Sequence, residues 1–147
     1  MRAKLLWFAR GVAISALVGV NACSTSPAPI ASRRAVPANR VFTQTLIARS
    51  GQRTASFTLT RDKGLLGVGA GIDVFVDGQR IARLAANETI TIYVTPGQHI
   101  LGARFSHGLV PPTEREFIAA TDRPVGIRVT TQAQSADVDL KPESGAL

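Results

Sequence analysis

From residue 41 onward, apolar and polar residues alternate with a period of two, in short runs broken by turn residues. In Thr89-Ile90-Thr91-Ile92-Tyr93-Val94, the residues Ile90, Ile92 and Val94 fall on one side and Thr89, Thr91 and Tyr93 on the other. That is the pattern of a half-buried strand, because successive side chains of an extended chain point to opposite faces. Ile72, Val74 and Val76 repeat the pattern before Asp77-Gly78. This dipeptide suits a two-residue type I′ hairpin, whose central residues both need positive φ. The partner strand then runs from Gln79 to Leu84, and Thr95-Pro96-Gly97 turns the chain into a strand over about 98–105. Further strands are expected at 41–49, 55–61, 115–120, 125–131 and 135–140, and no stretch beyond residue 40 keeps a helical repeat over three turns.

Many short strands with frequent turns predict an all-β fold, a small antiparallel β-sandwich over residues 41–147. Its expected core is Phe57, Leu59, Ile72, Val74, Val76, Ile81, Ile90, Ile92, Val94, Leu101, Ile127 and Val129. Strands 41–49 and 98–105 carry apolar residues on both faces, so their inward sides are not fixed by the pattern.

The residues ahead of this domain read differently. MRAKLLWFAR is positively charged, and Gly11–Val20 is an uncharged run, apolar apart from Ser15. This matches the charged and hydrophobic regions of a secretory signal. A spanning helix needs about 20 apolar residues, and reaching that length here would bury Arg10 in hydrocarbon. Val20-Asn21-Ala22-Cys23 follows, and it resembles the bacterial lipobox. The resemblance implies acylation of the Cys23 thiol and cleavage between Ala22 and Cys23, leaving residues 1–22 as a leader. Ser24, in place of an Asp there, points to the periplasmic face of the outer membrane by the enterobacterial sorting pattern. Cys23 is the chain's one cysteine, so the mature domain is expected to fold without a disulfide. Residues 23–40 then read as the lipidated cysteine and a disordered Pro/Ser/Ala-rich tether, about 50 Å long if extended, with Arg33-Arg34 near anionic lipid or in solvent.

The formal charge of +7 invites a nucleic-acid reading, which its distribution opposes. Residues 1–22 and 23–40 contribute +3 each, while residues 41–147 hold 11 basic and 10 acidic side chains. No nucleic-acid partner is therefore expected of the folded part.

The run Val74-Phe75-Val76-Asp77-Gly78-Gln79-Arg80-Ile81-Ala82, with Tyr93-Val94-Thr95-Pro96-Gly97-Gln98-His99, resembles the PEGA-type surface domain and related bacterial lipoproteins. The likeness spans residues 57–105. It implies a small β-sandwich and brings no catalytic or ligand residues with it.

Candidate sites are few. Gly64, Gly67, Gly69 and Gly71 run into a strand, where a phosphate loop would open a helix. His99 is expected to serve the turn that precedes its strand. His107 has Glu114 and Glu116 as conceivable co-ligands but no metal-ligand spacing, so no metal or other cofactor is expected. No nucleophile elbow is present, and Ser106 next to His107 says nothing of geometry, so no catalytic residues are assigned. The loop Ser106-His107-Gly108-Leu109-Val110, ending at Pro111-Pro112, is the best place for a partner contact, the alternative being a plain connection. The chain reads as a lipid-anchored envelope protein with a non-enzymatic, structural or protein-interaction role. The alternative is a periplasmic module that binds a small ligand or cell-wall glycan, which would need exposed aromatics for stacking.

Overall fold

The computed structural model describes residues 25–64, 69–132 and 137–143. Nine strands are present: β1 (Arg34–Ala35), β2 (Ala55–Arg61), β3 (Ile72–Val76), β4 (Gln79–Leu84), β5 (Glu88–Val94), β6 (Gly97–Phe105), β7 (Thr113–Ala119), β8 (Val125–Thr131) and β9 (Val138–Pro142). They form two sheets, one ordered β1-β5-β2-β8-β9 and the other β4-β3-β6-β7. Most pairings are antiparallel, but β2 lies parallel to β8 and β1 parallel to β5.

The Thr/Ile alternation of β5 works as its periodicity predicts. Ile90, Ile92 and Val94 are buried, while Thr89 and Thr91 face outward and hydrogen-bond to Thr60 and Thr58 of β2 at 3.0 and 3.1 Å. Such cross-strand pairs of β-branched residues stabilise a sheet face. The β3–β4 turn has positive φ at both central residues, Asp77 at 48° and Gly78 at 77°, as a type I′ turn requires. A bulge in β4 sets Val74 opposite Ala82 but Phe75 opposite Arg80. Ile81 is the extra residue, so Ile81 and Ala82 can both be buried although adjacent.

All twelve expected core residues lie in one buried cluster, joined by Ala55, Ala82, Leu84, Ala103, Ala119, Val138 and Leu140. Phe57 and Leu59 from one sheet and Ile72 and Leu101 from the other have no exposure. Complete burial of side chains of this size contributes about 1.5–3 kcal/mol each.

Two expectations need correction. Residues 41–49 do not form a strand. Val41 makes one bridge to Ala82, and Phe42 and Thr43 both donate to the Ile81 carbonyl, at 2.7 and 3.3 Å. The bulge at Ile81 ends the ladder there, and the chain coils into a 3-10 turn over Gln44–Leu46. Residues 25–40, expected as a tether, pack on the sandwich. Thr25 hydrogen-bonds to the Thr131 backbone, Ser26 bridges Lys63, Ala28 is buried, and Arg33 ion-pairs with Glu143. β1 then covers the open edge of β5, and residues 41–43 cover the edge of β4. Unpaired strand edges invite pairing with other chains, and this segment occupies both edges on one side of the sandwich.

Candidate functional site

The sandwich has two ends with different chemistry. At one end are the β3–β4 turn, the β5–β6 turn and the start of β6. There the Asp77 backbone N–H donates to the Ile100 carbonyl at 2.8 Å, and Asp77 Oδ1 accepts the Ile100 N–H at 2.9 Å. His99 Nδ1 lies 2.7 Å from Asp77 Oδ2, and His99 Nε2 lies 2.8 Å from the Thr95 carbonyl. Both partners are acceptors, so the ring donates to both only when both nitrogens carry hydrogen. Partial burial pushes the Asp77 carboxyl upward, but the hydrogen bonds from His99 and Ile100 and the charge of His99 outweigh it, and its pKa falls below the ordinary aspartate value. The His99 ring also meets Phe57 edge-on, with centroids 6.0 Å apart. His99 thus ties two turns together, the structural role its position suggested.

At the other end, residues 62–64 and 69–71, the β6–β7 loop, the end of β8 and the start of β9 converge. Burial lowers the Arg61 pKa while nearby Glu88 raises it, and Arg61 Nη1 donates to the carbonyls of Ala70 at 2.7 Å and Leu84 at 3.0 Å. The Ser106 N–H donates to the Gly71 carbonyl at 2.9 Å, and the Gly108 N–H to the Phe105 carbonyl at 3.1 Å. These bonds fix the base of the expected partner loop. Its tip stands free, with Leu109 fully exposed at 103% and Val110 at 68%. A depression of about 90 Å³ lies beneath it, lined by Ala103, Phe105, Gly108, Val110 and Val138 among others. Pockets for small organic ligands are usually about 300 Å³ or more, and this one is well below that.

Ser106 Oγ and His107 Nδ1 are 3.1 Å apart on the exposed loop. In the serine–histidine–acid arrangement the serine faces Nε2 and an acid holds Nδ1. Here Nδ1 faces the serine, and among the described residues no side chain hydrogen-bonds to Nε2 of His107. His107 shares a depression with Arg40, Gly71 and Arg83, whereas Glu114 and Glu116 line a separate open groove with Arg115 and Asp139. The structure therefore does not bring His107 together with these acids. Among the described residues no group of three His, Cys, Asp or Glu side chains could hold a metal ion. Gly71 leads directly into β3, and residues 65–68 of the glycine-rich stretch lie outside the described residues, as do Ala22 and Cys23.

One cluster escaped the sequence reading. On the outer face of the β4-β3-β6-β7 sheet, buried Asp73 accepts hydrogen bonds from Arg83 Nε at 2.8 Å, Arg83 Nη2 at 3.4 Å and Arg80 Nη1 at 3.4 Å. The hydrogen bond to Asp73 holds the Arg83 pKa above its ordinary value. Arg104 sits opposite Asp73 in the ladder, with its guanidinium 5.3 Å from the Phe75 ring centroid. Arg80 lies 3.8 Å over the Phe42 ring. Arginines thus cover faces of Phe42 and Phe75, aromatics that a glycan would otherwise stack on. The signal was a set of charges at outward positions of three strands, and their adjacency depends on strand order.

No family model, no curated protein and no solved structure matches this chain.

Proposed function

We propose that this chain is an exported cell-envelope protein, cleaved before Cys23 and acylated on it, whose PEGA-like β-sandwich has a non-enzymatic structural or protein-interaction role. Ser24 favours the periplasmic face of the outer membrane as its address. The observation that carries this reading is the position of Thr25. Thr25, two residues after Cys23 in sequence, is held on the domain, its Oγ1 donating to the Thr131 carbonyl at 3.5 Å and accepting from the Thr131 N–H at 3.4 Å. In this reading the lipid on Cys23 is attached two residues from that contact.

Mass spectrometry of the mature protein tests the proposal. A mature N-terminus at a diacylated or triacylated Cys23 is expected. An N-terminus elsewhere, or an unmodified Cys23, would overturn it.

A further inference from the structure

Thr25, two residues along the chain from the proposed acylation site, and the exposed apolar loop belong to the same end of the sandwich. Thr25 is fixed to Thr131, which pairs with Val138 across β8 and β9. Val138 in turn lines the depression beneath Val110 and Gly108. Ser26 exchanges both backbone hydrogen bonds with Lys63, at 3.0 Å each. Two residues of extended chain span at most about 7 Å between Cα atoms, which ties a lipid on residue 23 closely to Thr25.

From this placement, and resting on acylation of Cys23, we infer that the loop Ser106–Pro112 docks on the lipid surface, inserting Leu109 and Val110 among the headgroups and upper acyl chains. The tip suits that task. Leu109 and Val110 are apolar and exposed, at 103% and 68%. Pro111 and Pro112 follow them; they stiffen the loop and lack backbone N–H groups that would otherwise lose water on insertion. Two aliphatic side chains alone would bind lipid weakly, as a single acyl chain does. With an anchor joined to the same end of the domain, the tip acts at high effective concentration, and a small contact sets the orientation of the domain. The rim holds exposed Lys63, His107 and Asp137, with Arg104 in the depression beneath the tip and Arg40 and Arg83 in the one beside His107. The Asp77–His99 turns, at the opposite end of the sandwich, remain turned away from the bilayer.

A single-tryptophan reporter tests this. Trp7 is the chain's only tryptophan and leaves with the leader, so Leu109→Trp gives the acylated mature protein one reporter at the loop. Thr95→Trp places one on an exposed residue at the opposite end, and Val110→Trp is a second loop variant should Leu109→Trp misfold by circular dichroism. Each protein is reconstituted into vesicles of phosphatidylethanolamine and phosphatidylglycerol at 3:1, with and without brominated acyl chains. Expected for the loop reporters are a blue-shifted emission, quenching by brominated lipid and a several-fold fall in iodide quenching that persists in high salt. The Thr95→Trp reporter should stay open to iodide and untouched by bromine. A loop reporter as open to iodide as that at position 95, in protein whose acylated Cys23 is verified by mass, overturns the docking and leaves the anchor standing. An unmodified Cys23 overturns both. Shielding in native envelopes but not in pure lipid overturns lipid docking and assigns the loop to a protein partner.

Discussion

The segment 25–43 and the loop 106–112 share small residues, prolines and aliphatics, with three arginines added in the first, yet the fold treats them oppositely. The first is held by backbone pairing with β5 and β4, by the Arg33–Glu143 and Arg40–Glu88 ion pairs and by burial of Ala28. The second leaves Leu109 bare. Small-residue and proline content therefore did not decide which segment packs against the sheets. The difference lies in what each meets: residues 25–43 pass two sheet edges with free hydrogen-bonding groups and a carboxylate at each charged crossing, while the 106–112 loop extends past the end of its sheet.

This contrast can be broken in graded ways. Removing residues 24–43 from the mature domain should cost on the order of 3–5 kcal/mol, since several ladder hydrogen bonds are lost and two strand edges are exposed. Urea denaturation with a measurement of aggregation checks this, and unchanged stability would return the segment to the status of a tether. Arg40→Ala should cost about 2 kcal/mol, because the Glu88 side chain, only 7% exposed, loses its ion-pair partner. Arg33→Ala, at a more open pair with Glu143, should cost about 1 kcal/mol by the same measurement. The double variant Leu109→Ser/Val110→Ser should leave the denaturation midpoint unchanged. A lower midpoint would mean that the loop tip belongs to the core after all.

The strands legible in the sequence were those with clean alternation or a defined turn. β5 and the β3–β4 hairpin needed only their own residues, because Thr/Ile alternation and Asp77-Gly78 specify face and turn locally. Residues 41–49 misled because Val41, Phe42, Leu46 and Ile47 supply strand-like apolar content without a consistent face; the bulge at Ile81, which stops their pairing, is a property of another strand. At the candidate site, the exposure of the 106–112 loop was readable from Ser-His-Gly and Pro-Pro punctuation. The Asp73–Arg80–Arg83–Arg104 cluster was not, since charges 31 positions apart meet only through the order of β4, β3 and β6.

Local pattern alone thus determined the all-β class, the type I′ turn at Asp77-Gly78 and the twelve core residues first assigned, because side-chain alternation and positive φ are short-range constraints. Tertiary structure decided the parallel pairing of β2 with β8, the recruitment of residues 25–43 to open edges, and the meeting of Thr25 with the end of the sandwich that bears Leu109. Those depend on hydrogen-bonding groups and charges supplied from remote parts of the chain, whose proximity no local periodicity encodes.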